Sequence, residues 1–273
     1  MVTKSKALSA MVQDVSNAFS KRSLKPQQVI DDLIQLSCNL ITESVFITKA
    51  FRNTLFAYSP GFRNELSHYK TEPKAWKLLQ DLHLEYMKTI LENEPFTDII
   101  GMMYDETLSG SRLGQFLTPP DVADGLLPFI IGAIMEPIKE KTTIGDICGC
   151  GAGSLILGQI KAIYKNQGKD SVKNLLVVAN DIDMKMVQMT TAQIVLSSCI
   201  HRIPLGGLTA YNCNTITQYQ EMNQGMHKAF AWIPEAPTAL YLEAIREKAI
   251  HDREVEDDVS KKAKTKELHT VGA

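Results

Sequence analysis

The segment Asp146-Ile147-Cys148-Gly149-Cys150-Gly151-Ala152-Gly153-Ser154 constrains the fold of this chain more than any other. A short β-like run, Thr142 to Gly145, precedes it, and an apolar helical run, Leu155 to Ile160, follows. Three glycines at alternate positions between a strand and a helix let the backbone turn tightly and approach a ligand closely. Such a turn alone serves many nucleotide sites and many plain structural turns, so the neighbouring segments decide its meaning.

A length of 273 residues suits one large domain or a small and a medium one. Hydrophobic residues at 44% and charged residues at 22% support a sizeable core. A net charge of -2 and a pI near 6.3 give no bulk basic field for nucleic acid, although a local basic face would suffice. Met1 leads into polar sequence without a signal-like core, and no apolar run approaches the ~20 residues of a membrane span. A cytoplasmic protein without a membrane partner is therefore expected. The five cysteines (Cys38, Cys148, Cys150, Cys199, Cys213) form no paired framework, which fits reduced thiols. Cys148 and Cys150 have no second Cys or His pair at ligand spacing, so no metal is expected.

Residues 1–110 read as a helical region. Val29, Leu33, Leu36 and Leu40 recur at helical spacing behind Pro26, and Leu79, Leu82, Tyr86 and Ile90 do so behind Pro73. Tyr58-Ser59-Pro60-Gly61 reads as a turn, and a short helix is expected from Phe96 to Tyr104. In Thr118-Pro119-Pro120-Asp121, a helix cap, a first-turn proline and a capping-box acid account for the composition. After the glycine turn, Leu175 to Ala179 has the continuous apolar character of a buried parallel strand. Leu208 to Tyr211 and Lys228 to Trp232 are further strand candidates, and a helix carrying Met186, Met189, Ile194 and Val195 lies between the Leu175 and Leu208 strands. That alternation predicts an α/β, Rossmann-like parallel sheet over residues 111–245, with ligands at the carboxyl ends of the strands. Asp146, Asp181 or Asp183, and Asn214 fall at those ends. From Pro237 an amphipathic helix (Leu240, Leu242, Ile245, Ile250) runs into a charged tail, assigned to 246–273.

An acid one strand after a glycine turn binds ribose hydroxyls in dinucleotide sites, and both NAD and S-adenosylmethionine carry that ribose. The NAD fingerprint is G-x-G-x-x-G. Gly149-x-Gly151-x-Gly153 is tighter and admits a ligand without a pyrophosphate, which favours S-adenosylmethionine over an NAD-dependent oxidoreductase.

Gly114-Gln115-Phe116-Leu117-Thr118-Pro119, Asp146 to Gly153, Asn180-Asp181-Ile182-Asp183 and Asn212-Cys213-Asn214-Thr215-Ile216 come in one order. Together they resemble the N6-adenine DNA methyltransferases, in the branch of type I restriction-modification subunits and their phage or mobile-element relatives. Phe96-Thr97-Asp98-Ile99-Ile100-Gly101 also looks like the lead-in of that branch, and the likeness covers roughly residues 75 to 217. It implies a class I methyltransferase sheet with S-adenosylmethionine as cofactor and DNA as substrate. It further implies that Gln115, Phe116, Thr118 and Pro119 hold the methionine end of the cofactor and that Asp146, Gly149, Gly151 and Gly153 form the turn beneath it. Asp181 or, preferred on the acid-Ile-Asp run, Asp183 would bind the ribose, and Asn214 would recognise the adenine. Gln188, Met189, Thr190 and Gln193 read as packing. The turn holds one residue more than the family form between the acid and the Gly-x-Gly pair, so Asp146 either reaches from further back or is no longer a ligand.

Methyl transfer to adenine N6 needs a flipped base stacked on an aromatic ring and acceptors for its amino group. The family supplies these as Asn-Pro-Pro-Tyr or Asn-Pro-Pro-Phe after the fourth strand. Here that place reads Trp232-Ile233-Pro234-Glu235-Ala236, and the partial look-alike Ser59-Pro60-Gly61-Phe62 lies far upstream. With 59 residues after Asn214, the cofactor half of the fold is expected and little of the substrate half. Two readings follow. One is an adenine methyltransferase homologue completed by a protein partner or homo-oligomer. The other is a catalytically inactive methyltransferase-like binding protein with a sensing, structural or anti-restriction role.

Overall fold

The computed structural model describes residues 2–20, 23–108, 118, 125 and 136–247. Helices α1 (Val2–Asn17), α2 (Pro26–Thr42) and α3 (Ser44–Ala50) lead to strand β1 (Leu55–Tyr58) and two 3-10 turns, Pro60–Phe62 and Ser67–Tyr69. Helices α4 (Pro73–Glu92) and α5 (Ile99–Leu108) follow. The remainder runs β2 (Thr142–Asp146), α6 (Ser154–Gln167), α7 (Lys169–Val172), β3 (Leu175–Asp181), α8 (Met184–His201), β4 (Gly207–Asn212), α9 (Thr215–Asn223) and β5 (Lys228–Ile233), with a last helix over 238–247.

The five strands form one open sheet in the order β1-β5-β4-β3-β2. Strands β2, β3 and β4 are parallel, with Asp146 opposite Ala179 and Asp181 opposite Asn212. The architecture is thus mixed α/β and compatible with a Rossmann-like fold, but the sheet is not parallel throughout. β5 runs antiparallel to β4, and β1 antiparallel to β5. Two reversals return β1 to the direction of β4. The connection through α9 returns on the same edge without crossing over the sheet, so β5 lies alongside β4 in the antiparallel sense.

The region read as helical therefore contributes a strand, and one continuous core runs from Leu8 of α1 to Trp232 of β5. Phe62 stacks on Phe230 at 5.0 Å between ring centres, and Phe51 lies 5.9 Å from Trp232. The apolar stripes form as helical spacing requires, although α2 buries Val29, Ile30, Leu33, Ile34, Cys38 and Ile41 and leaves Leu36 and Leu40 half-buried. Helix α8 is buried on every side from Met186 to Cys199, wedged between the sheet, α2 and α4. The chain is helical over 238–247, as the pattern from Pro237 suggests. Leu240, Leu242 and Ile245 are exposed, and Ile250 lies outside the described residues. Among the described residues, no helix is long and apolar enough to cross a membrane.

Candidate functional site at the carboxyl ends of the parallel strands

Strand β2 ends at Asp146, and the chain folds back under that carboxylate. Asp146 Oδ1 accepts the backbone N–H of Cys148 at 3.1 Å and of Gly149 at 3.3 Å. This side-chain turn absorbs the additional residue between the acid and the glycine pair. The Cys150 N–H donates to the Asn180 carbonyl and the Gly153 N–H to the Cys150 carbonyl, both at 2.8 Å. The Gly151 N–H donates to Asp181 Oδ2 at 3.0 Å. Gly153 has φ +93° and begins α6; a Cβ there would lie 3.0 Å from the Thr190 side chain. Glycine is required at that point for both conformation and space. Cys150 is buried, which pushes its thiol up to about 12, while Cys148 is exposed on the turn.

The two acids after β3 divide their tasks. Asp181 is buried against the turn, and its Oδ1 also accepts the Asp183 N–H at 2.9 Å. Asp183 is the N-cap of α8, accepting the Lys185 N–H at 2.9 Å, and the Lys185 ammonium reaches Asp31 of α2 at 2.6 Å. Burial raises the Asp31 carboxyl above its ordinary range, and Lys185 opposes that shift. Two amides lash the strand ends together. Asn180 Nδ2 donates to the carbonyls of Ile147 (3.0 Å) and Cys213 (3.1 Å), and Asn212 Nδ2 to those of Asp181 and Ile182, both at 3.0 Å. Asn214 caps α9 through Oδ1, which accepts from Ile216 and Thr217. Beside these polar groups, Ile182 is 70% and Ile216 93% exposed, so two apolar side chains stand open at the ends of β3 and β4.

The residues expected to serve as packing hold the turn from behind. Thr190 Oγ1 donates to the Gly151 carbonyl and Gln193 Nε2 to the Ala152 carbonyl, each at 2.8 Å. Nothing in the sequence sets them apart, because the same helix also carries Gln188, Thr191, Ser197 and Ser198 and buries all of them. Asp98 joins Thr190 and Gln193 from the lead-in to α5, bonded to Gln193 at 2.8 Å and to the Ser154 hydroxyl.

The structure thus brings Asp146, Gly149, Gly151, Gly153, Asp181, Asp183 and Asn214 to one pole of the sheet. Thr118 is half-buried outside any helix or strand, and Gln115, Phe116 and Pro119 lie outside the described residues, as does Asp121. The segment compared with the catalytic tetrapeptide lies elsewhere. Because β5 is antiparallel, Trp232 to Ala236 emerge at the opposite pole, where Glu235 pairs with Lys173 at 2.7 Å, just before β3 begins. Trp232 is 1% exposed and offers no stacking surface. Ser59 to Phe62, by contrast, follows β1 at the same pole as the turn. Its Phe62 ring is nonetheless sealed against Phe230, and its carbonyl accepts from Gln188 at 2.9 Å.

No protein-family model matches the chain, and no curated protein matches it.

Proposed function

We propose that the chain binds S-adenosylmethionine at the glycine turn, as its resemblance to N6-adenine DNA methyltransferases implies, and needs a partner subunit to complete methyl transfer to DNA adenine. The observation that carries this is where the N–H groups of the turn go. Those of Cys148, Gly149, Cys150, Gly151 and Gly153 all donate within the protein, three of them to Asp146 and Asp181. A pyrophosphate site keeps such donors for the anion. A turn that has turned them onto its own carboxylates suits a ligand with a ribose, a positive charge and no phosphate. When bound, S-adenosylmethionine supplies the sulfonium methyl group.

Each residue then has a role its geometry supports. Asp181 takes the ribose hydroxyls on the strength of its place against the glycine turn, where each oxygen accepts one N–H and keeps a second lone pair. Asp183, which accepts the Lys185 N–H through one oxygen, is the competing acid that the second variant tests. Asn214 uses Oδ1 for its own cap and presents its amide nitrogen, a donor suited to an adenine ring nitrogen. Ile182 and Ile216 cover the faces of that ring.

The test is calorimetric titration of the full chain with S-adenosylmethionine. Asp181→Asn is expected to weaken binding by on the order of tenfold or more. Asp183→Asn is expected to leave affinity within a few-fold, since Asn caps a helix as well as Asp does. Equal losses in both variants, or no binding by the parent, would remove the assignment.

A second reading is favoured by the direction of β5, which carries residues 232–236 away from the turn. On that reading the chain is a catalytically silent binding protein. A methyl-transfer assay on adenine-containing DNA, with and without cell extract as the source of a partner, separates the two.

A further inference from the structure

The lead-in segment Phe96 to Gly101 lies well before β2 in the chain, yet it is tied to the site at several points. Phe96 takes a left-handed φ of 61° and donates its N–H to Ser197 Oγ at 2.7 Å. The Ile100 N–H donates to Gln193 Oε1 at 3.0 Å. Between them Asp98, 6% exposed, meets two helix starts at once. Its Oδ1 accepts the Gly101 N–H at 2.8 Å, the bond a residue preceding a helix makes to the first turn, and also accepts Gln193 Nε2 at 2.8 Å. Its Oδ2 accepts the hydroxyl of Ser154, the first residue of α6 and the one that leaves the glycine turn. The same Gln193 nitrogen holds the Ala152 carbonyl inside the turn. Gly101 makes room for this arrangement, because a Cβ there would fall 2.1 Å from Asp98 Oδ2.

Capping α5 alone would need only a serine or asparagine at an exposed position. A buried carboxyl costs desolvation, and here it is matched to donors from three separate elements. We propose that Asp98 is a positioning residue of the glycine turn: it ties the start of α5 to the start of α6 and, through Gln193, fixes the backbone of the turn that faces the ligand. This rests on the cofactor reading for its functional consequence but not for its structural one, and the experiment is chosen accordingly.

Two variants separate the clamp from the cap. Asp98→Ser keeps a good helix cap but is too short to reach Ser154 and Gln193 together. Gly101→Ala leaves Asp98 in the chain and displaces its carboxyl; on helix propensity alone that change would favour α5. Amide hydrogen exchange on the full chain is the first readout. Cys150, Gly151 and Gly153 are expected to exchange on the order of tenfold faster in both variants, with Val177 and Ala210 in the neighbouring strands at the parent rate. S-adenosylmethionine affinity is expected to fall by a similar factor in both. Parent-like exchange at the turn in Gly101→Ala would overturn the clamp, as would exchange raised equally across β3 and β4, which marks general destabilisation. If Asp98→Ser does not fold, Gly101→Ala decides. A parent chain that fails to bind S-adenosylmethionine would sink the cofactor reading, while the exchange rates would still judge Asp98.

Discussion

Single residues in the turn carry sharply different burdens. At Gly153 a side chain is excluded twice, by φ +93° and by the Thr190 side chain 3.0 Å from where a Cβ would sit. Gly153→Ala is expected to cost about 2 kcal/mol in urea unfolding, the sum of a left-handed backbone penalty and a modest steric one. Thr190→Val keeps the shape and removes the hydroxyl with its hydrogen bonds to the Gly151 carbonyl and the Cys150 thiol, a loss of about 1 kcal/mol or more. Because the two residues touch, the double variant is expected to fall short of the sum. Additivity within a few tenths of a kcal/mol would show that the contact is not made in solution.

Among the elements, α4 gives the clearest pH signature. It buries His83, whose Nε2 has no hydrogen-bond partner, and burial lowers its pKa from 6.5 to about 4. The unfolded chain therefore binds a proton below pH 6.5 that the folded chain refuses until about pH 4. Stability is expected to be unaffected by this group above pH 6.5 and to decline as pH falls through that window, by up to about 3 kcal/mol. His83→Leu should flatten this part of the profile, as followed by urea midpoints at successive pH values. Asp31 and Asp32, both raised by burial, contribute with the opposite sign, so the difference between parent and variant is the informative quantity. An unchanged slope in the variant would place the His83 ring in water.

For the whole molecule, strand direction decides what the site can include. The segment 232–236 sits at the pole opposite the glycine turn, and its Glu235–Lys173 pair is half-exposed, a class of contact worth ~0–1 kcal/mol. Glu235→Ala is expected to leave S-adenosylmethionine affinity within about twofold of the parent, because screening and distance isolate it from the turn. A larger loss would mean that the antiparallel pairing of β4 with β5 is wrong. The same topology predicts that the chain alone transfers no methyl group to adenine. Incorporation of labelled methyl into DNA by the purified chain would require an acceptor at the turn that none of Trp232, Glu235 or Phe62 can supply where they lie.

Much of this is legible in the sequence, because it rests on local chemistry. The strand–glycine turn–helix unit, the stripes of α2 and α4, and the acids and amides ending β2, β3 and β4 follow from periodicity and turn propensity, which act over a few residues. That short reach is also why the rest stayed hidden. Which of Asp181 and Asp183 faces the turn depends on a cap that forms only when α8 is in place. Thr190 and Gln193 read as packing because a helix buried on all sides shows no amphipathic pattern to set them apart. Asp98, 56 residues from Ser154, meets it only after α5 packs on α8 and the glycine turn has formed. The direction of β5 left no mark in its own residues, since an apolar strand pairs either way and the choice falls to the connection before it and the strand beyond. Sequence by itself determined the pieces and one pole of the sheet; the tertiary structure decided which residues share that pole, because only long-range pairing fixes direction.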